Sequence, residues 1–538
     1  MKFTPYLLPL CLIGALVNSA QALSKDLKNE THDRPNIIFI AADDLTAKYV
    51  GAFGAKHIQT PNIDALAKKG VKFNNSVVQG TMCGPSRNSM LTGQYPHNLG
   101  FYINGTLKNV PVDGWNLPNT LQQNGYATSW IGKSHIRTPN VGLEKDTPYR
   151  GNVSLIQDIG FDEATSSHGR AVLSSSAKKM AKDPGMKWQY GHDMYADYIY
   201  KKGLFPTFVK DLGKISTLPV NDYLDGNIAN RAVNWIEGYK REQPFFLWVN
   251  FSGPHGPYDA PGMVKYTPEQ MPPVIIDKDH SDIPGLMRTQ LFKGNESVAL
   301  EKRTAYAGMI TFLDQQVGRI LQAIDDKGVR DNTLIVFYSD HGIMEGDHGL
   351  NHKYTFYKEV LNASLIIDLP GGQEGKAINR PVELLDVVQT ALDVAEVPVK
   401  QRTAAKGYSL KPILDGSGDI ARTAAYAEIY NGIAMVTENY KYIETAQGNV
   451  LFDVRNDPNE RVNAIKSLPE VAKNMAAGME KWRNTEAGEF KWLEQKTIDK
   501  IEGIVAVKSG KVKKVKNKDK KKNKNKKNKD KKNKDKAI

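Results

Sequence analysis

Cysteine is nearly absent from this sequence. There are two in 538 residues, and the first, Cys11, falls in an N-terminal stretch that reads as a leader. That stretch has a lysine at position 2, an apolar run from Tyr6 to Val17 and a small-x-small ending at Ala20-Gln21-Ala22, so residues 1–22 are expected to be a cleaved export signal. Pro9-Leu10 stand where a lipoprotein leader has small residues, which argues against a lipid anchor on Cys11. The mature chain then keeps Cys83 alone, and an intramolecular disulfide is excluded. A single thiol in an exported protein, periplasmic or secreted, has to be buried, paired with another chain or chemically converted.

Long hydrophobic runs are missing too. The leader is too short to span a bilayer and nothing later approaches the roughly 20 apolar residues required, so no membrane span is expected. The folded part also lacks net charge. The formal +13 comes entirely from the 16 lysines and 3 aspartates between Lys511 and Lys536, which leaves 56 basic and 56 acidic residues elsewhere. A nucleic-acid enzyme therefore loses its main electrostatic support. What is present, 40% hydrophobic and 24% charged residues, suits a large buried core and excludes disorder of the whole chain.

Apolar runs bounded by turn signals predict strands at Asn36 to Ala41, Ala127 to Ile131, Phe245 to Phe251, Thr333 to Ser339 and Ser364 to Leu369. They are continuous rather than alternating, as in strands covered on both faces. Between them lie helical stripes, the clearest formed by Ile310, Leu313, Val317, Ile320, Leu321 and Ile324 and ending at Gly328. This alternation predicts an α/β sandwich around a large, mostly parallel sheet, with functional residues at the C-terminal strand ends. From about Gly407 the pattern changes to short pieces, Ala424 to Ile429, Ile433 to Thr437, Tyr440 to Glu444 and Val450 to Phe452, followed by a helix at Pro469 to Asn484. These predict a smaller C-terminal subdomain, 407–500, with an antiparallel sheet beside a catalytic domain at 23–406. Residues 508–538, rich in Lys and Asn, cannot offset the entropy of ordering and read as a disordered tail.

Two segments carry chemistry. The first strand empties into Asp43-Asp44, adjacent acids that either form a solvated turn or share a cation. Cys83-Gly84-Pro85-Ser86-Arg87 precedes Leu91-Thr92-Gly93, with Pro85 suited to a first helical turn, so Cys83 is placed at a helix N-terminus where free N–H groups favour an oxyanion.

Cys83-x-Pro85-x-Arg87 with Leu91-Thr92-Gly93 resembles the signature of the type I sulfatases, formylglycine-dependent enzymes of the alkaline phosphatase-like superfamily, and bacterial carbohydrate sulfatases in particular. The resemblance extends through Asn36 to Leu45, Gly132-Lys133-Ser134-His135, Pro254-His255-Gly256-Pro257, Ser339-Asp340-His341-Gly342, Gly346-Asp347-His348-Gly349 and Lys353. It continues in Leu451-Phe452-Asp453, Asp457-Pro458, Glu460 and Asn463, and so covers about residues 34 to 485. It implies that Cys83 is oxidised to formylglycine by a formylglycine-generating or anaerobic maturase enzyme. It also implies that Asp43, Asp44, Asp340 and His341, with position 83, hold Ca2+, Mg2+ being the other candidate. Arg87 would brace the formylglycine, and Lys133, His135, His255 and Lys353 would surround the sulfate. A sulfate monoester shields its sulfur with negative oxygens, so attack needs a metal and cations to drain charge. In the implied reaction His255 protonates the leaving oxygen, Lys353 neutralises charge beside it, and His135 takes a proton from the second hydroxyl of the aldehyde hydrate. His97, His348 and His352 are further candidates for substrate contact.

The resemblance implies a sulfated carbohydrate substrate, with an algal galactan such as carrageenan preferred and glycosaminoglycan fragments second. A phosphodiesterase or phosphonate monoester hydrolase of the same superfamily is the alternative. Specificity is expected to lie in Glu144 to Pro206 and Val274 to Glu296, and the lysine tail is an extension able to attract polyanions. A chain ending before Lys508 is expected to hydrolyse a small sulfate ester with unchanged turnover. The tail is either a solubilising or surface-adhering extension or a tether to sulfated polysaccharide: a tether requires that truncation weaken retention on a sulfated polysaccharide column at low salt and not at high salt, and equal retention at low salt leaves only the first reading.

Overall fold

The computed structural model describes residues 34–499 apart from 105–113, 137–155, 183–192, 277–281, 285–286, 288–290, 489, 492 and 495. The expected signal at 1–22, the tail at 508–538 and parts of both specificity segments lie outside the described residues. The chain forms two compact units, Met1–Trp492 and Leu493–Ile538, and the sheets and helices named here belong to the first.

The runs expected as strands form them, because a segment without polar groups on either face is stable only when sheet neighbours take its backbone hydrogen bonds and packed layers cover both sides. In chain order they are β1 (Asn36–Asp43), β2 (Val71–Phe73), β3 (Ser76–Val77), β4 (Ala127–Lys133), β5 (Glu163–Ser167), β6 (Phe245–Pro254), β7 (Thr333–Ser339), β8 (Leu365–Asp368), β9 (Lys376–Ile378) and β10 (Val382–Glu383). Among the described residues a sheet of eight strands runs in the order β5-β4-β6-β1-β7-β8-β2-β9. β1 pairs parallel with both β6 and β7, and β4 continues the parallel run, whereas β8 is antiparallel to both of its neighbours. β3 and β10 form a separate parallel pair. The mostly parallel sandwich is thus as expected, and it brings the C-terminal ends of β4, β6, β1 and β7 side by side.

The striped segment is the helix Glu296–Asp326, with Asn295 accepting the Val298 N–H at its N-cap. Ile310, Leu313, Val317, Ile320 and Ile324 face the core, together with Ile38, Ile40, Leu247 and Ile335 of the central strands. The C-terminal pieces form the antiparallel sheet β11 (Ala425–Ile429), β12 (Gly432–Val436), β13 (Tyr440–Thr445) and β14 (Gly448–Asp453). The helix Pro469–Thr485 packs Met475, Met479 and Trp482 against Tyr426, Met435, Tyr442 and Leu451 of that sheet. No helix among the described residues is long and apolar enough to cross a membrane.

Asp314, on the buried side of the long helix, caps a neighbour. The helix Pro61–Lys69 has no side-chain cap of its own. Asp314 supplies it, accepting from the backbone N–H of Ile63 at 2.8 Å and of Asn62 at 3.1 Å, and from Asn62 Nδ2 at 2.7 Å. Burial raises its carboxyl to about 6, against hydrogen bonds that favour the ionised form. Asp314→Ala is expected to cost about 2 kcal/mol through lost caps and orphaned donors, read as a lower denaturant midpoint.

Candidate active site

The end of β1 sets the site. Asp43 closes the strand, and Asp44 follows in the left-handed region at φ 66°, which turns the two carboxylates to converge instead of alternating across the sheet. β7 ends beside it, and the exits are laced by Asp340 N–H to the Ala42 carbonyl at 3.0 Å and Asp44 N–H to Asp340 Oδ1 at 3.2 Å. Tyr306, on the long helix, donates to the Asp44 carbonyl at 2.5 Å and accepts the Thr46 N–H at 3.0 Å.

Cys83 is the first residue of the buried helix Cys83–Thr92, after Met82 in an extended conformation. It is the free cysteine among the described residues, with no exposed surface. Its Sγ lies 3.2 Å from Asp43 Oδ1, 3.3 Å from His341 Nε2, 3.2 Å from Lys353 Nζ and 3.7 Å from Lys133 Nζ. Burial and Asp43 push the thiol up, but Lys133, Lys353 and His341 outweigh them and bring it down to about 6. A position at a helix N-terminus under two ammonium groups and an imidazole is built to carry an anion.

Each lysine is paired with one of the acids. Lys133, the last residue of β4, meets Asp43, and Lys353 meets Asp44 at 2.5 Å. Burial alone would push both ammonium groups toward neutrality, but the carboxylates hold them above their ordinary range. Burial likewise opposes ionisation of the acids, yet Lys133 and His255 hold Asp43 well below its usual range and Lys353 and His255 hold Asp44 at about 2. Arg87 ties three strand ends together through Nε to Asp340 Oδ2 at 2.8 Å, Nη1 to Asn250 Oδ1 at 2.8 Å and Nη1 to the Lys133 carbonyl at 3.2 Å. Asp340 is raised to about 6 by burial, whereas His341, which burial would lower, is raised to about 9 chiefly by Asp340.

The donor atoms of Asp43, Asp44, Cys83 and His341 all lie within 4.8 Å of one another. Ligands about 2.3–2.6 Å from one ion are separated by no more than about 5 Å, so this set fits a single divalent cation. Asp340, expected as a further ligand, stands outside that set of four, with Oδ1 3.7 Å from His341 Nε2 and Oδ2 committed to Arg87.

His255 follows β6 and points Nε2 at Asp44 Oδ2, 3.6 Å away, while its Nδ1 is 2.7 Å from the Gly256 carbonyl. A carbonyl only accepts, so Nδ1 carries a hydrogen and Nε2 is the nitrogen that exchanges its proton. His135 follows Lys133 at φ 51° and its Nδ1 is buried without a hydrogen-bond partner. Burial and Lys133 lower its pKa well below the ordinary value, which keeps the ring neutral.

Two of the histidines expected to contact substrate are engaged by the protein itself. His97 is held at 2.5 Å from Nδ1 to Glu428 Oε1 and at 3.0 Å from Nε2 to the Ala487 carbonyl, with its ring stacked on Tyr95. Both ring nitrogens are engaged, and the histidine joins the Cys83 segment's continuation to β11 instead of meeting substrate. His348 is buried and stacked on Tyr357 with ring centres 3.8 Å apart. His352 is exposed and lies within electrostatic reach of Asp44 and His255, at the rim.

The family model described as "Sulfatase" matches residues 35–397, and the model "N-sulphoglucosamine sulphohydrolase, C-terminal" matches 346–485. The chain belongs to the sulfatase family. It is a sulfuric ester hydrolase. A "Sulfatase" of Formosa agariphila is 28% identical over 86% of this chain and 88% of its own length. Among solved structures, the phosphonate monoester hydrolase of Agrobacterium radiobacter matches the fold with a TM-score of 0.70 at 22% identity, covering 84% of this sulfatase and 96% of that chain. Ps i-CgsB in complex with k-i-k-neocarrahexaose matches with a TM-score of 0.62 at 25% identity, covering 91% and 99%.

Asn250 and Asn104 escaped the reading of the sequence. Asn250 interrupts the apolar run Phe245 to Phe251 of β6 and receives Arg87, and that polar residue inside a buried run was its signal. Asn104 Oδ1 accepts the Gly84 N–H at 2.8 Å over the start of the Cys83 helix, and a Cβ at Gly84 would meet it at 2.5 Å. Asp43→Ala and Asp44→Ala are each expected to lose a divalent ion that the unaltered sulfatase retains, by elemental analysis. Each should also cost about 3–5 kcal/mol of stability, because a lysine is left buried without its carboxylate.

Proposed function

We propose that this sulfatase hydrolyses sulfate monoesters of a sulfated polysaccharide or oligosaccharide through formylglycine made from Cys83, with a calcium ion held by Asp43, Asp44, position 83 and His341 beside Asp340. The convergence of Lys133, Lys353 and His341 on Cys83 Sγ carries this reading, since it is where three sulfate oxygens and an attacking oxygen would concentrate negative charge. A hydrated aldehyde at position 83 would supply one hydroxyl for attack on sulfur and a second for release of sulfate, and a cation held by Asp43, Asp44 and His341 would act as a Lewis acid. The chain's own residues do the rest. Lys133 and Lys353 hold the sulfate oxygens, and Arg87 keeps Asp340 and the β4 exit in place. His255 delivers a proton from Nε2 to the leaving alcohol, and His135 accepts a proton from the second hydroxyl.

The carbohydrate class is supported by the neocarrahexaose bound in the solved relative, with an algal galactan such as carrageenan first and glycosaminoglycan fragments second. Export through residues 1–22 and oxidation by a formylglycine-generating or anaerobic maturase belong to the same reading. Mass spectrometry of the tryptic peptide containing position 83 tests it: active protein is expected to carry the aldehyde, and full activity with an unmodified thiol would overturn it. Turnover of 4-nitrophenyl sulfate is expected to exceed that of 4-nitrophenyl phenylphosphonate by at least about 100-fold, about 2.7 kcal/mol in barrier. The reverse order would assign the phosphonate monoester hydrolase activity instead.

A further inference from the structure

The His255 loop is tied to the Lys353 loop through a buried carboxylate that has no part in the chemistry above. Glu345 is fully buried and sits at φ 44°, a left-handed conformation uncommon for a residue with a Cβ. Its Oε1 accepts from Tyr258 Oη at 2.7 Å, and its Oε2 pairs with Lys302 Nζ at 3.0 Å. Its carbonyl accepts from Arg303 Nε at 3.0 Å. Lys302 also donates to Asn351 Oδ1 at 2.8 Å, beside Lys353, and Arg303 Nη2 meets Asp347 Oδ1 at 2.7 Å. The Tyr258 ring packs on Tyr306, whose hydroxyl holds the Asp44 carbonyl. One residue therefore lies where the segments carrying His255, Lys353 and Asp44 meet.

We infer that Glu345 is a positioning residue that, through Tyr258, aims His255 Nε2 at the leaving oxygen; the inference rests on the assignment of His255 as the acid. Tyr258 closes the segment whose Gly256 carbonyl holds His255 Nδ1. Anchoring the tyrosine hydroxyl fixes that carbonyl, and the carbonyl fixes the plane and tautomer of the imidazole. A buried carboxylate on a left-handed residue would be costly to keep for packing alone, and its two side-chain contacts join the loop after β6, at Tyr258, to the long helix, at Lys302. Burial and Glu345 keep the Tyr258 phenol protonated, as a donor must be.

A misaimed acid hurts poor leaving groups and spares good ones. Tyr258→Phe and Glu345→Gln are each expected to lower kcat on phenyl sulfate about 10- to 100-fold. On 4-nitrophenyl sulfate, whose phenolate leaves without help, the loss should stay below about threefold, with KM for both esters within about threefold. His255→Ala should show the same selectivity with a larger loss. If His255→Ala lowers both substrates equally, the acid assignment itself is wrong. If His255→Ala is selective but Tyr258→Phe and Glu345→Gln lower both esters equally or neither, Glu345 is structural and the inference is overturned. Tyr258→Phe removes a single hydroxyl from a half-buried ring, so it keeps the comparison intact should Glu345→Gln fold poorly.

Discussion

Two carboxylates on consecutive residues, both buried at the end of one strand, cannot remain ionised unless cations reach them. The architecture around Asp43 and Asp44 answers that demand. β4 delivers Lys133 to one acid, the loop after β7 brings Lys353 to the other, and His341 reaches both Asp44 and Cys83. Arg87 takes up the third carboxylate, Asp340, so that each acid at this edge of the sheet faces a positive group. The cost of gathering so much charge inside a protein is met by close pairing, and the same close pairing makes the position between the charges hospitable to a sulfate and a divalent ion.

Much of this was legible in the sequence, and the reasons differ by element. The central strands could be read because burial on both faces leaves only apolar residues, as in Ile37 to Ala42 and Leu334 to Tyr338. β5, β2 and β9 could not be read, since Glu163–Ser167 is polar and half covered and the other two are three residues long. Cys83, the paired acids and the two lysines were visible because each stands at a strand exit or helix start, or inside a recognisable local pattern. His97 and His348 sat in equally good patterns, but what holds them, Glu428 and Ala487 for one and Tyr357 for the other, belongs to contacts no local pattern encodes. Glu345 was invisible for the same reason, because Tyr258 and Lys302 come from separate segments.

The long helix Glu296–Asp326 does more than cover the sheet. Its N-terminal half presents Lys302, Arg303 and Tyr306 to the loops after β6, β7 and β1, while its C-terminal half supplies Ile320 and Ile324 to the core. A single rigid element thereby adds a second set of ties between segments that the sheet and Arg87 already hold together. The division of labour also shows in its buried stripe, which carries Arg303 and Tyr306 near the site and only apolar Ile320, Leu321 and Ile324 farther along.

β1 lies between β6 and β7, strands that the ribosome makes roughly two hundred and three hundred residues later. The two neighbours that β1 needs do not exist while Cys83 is emerging, and Lys353 and His341 follow later still. Throughout that interval the thiol lacks His341 and Lys353, which stand 3.3 and 3.2 Å from it in the finished protein. Closure around Cys83 therefore waits on strands made long after it: non-local pairing of this kind is slow to form, and only the closed sheet buries the residue completely.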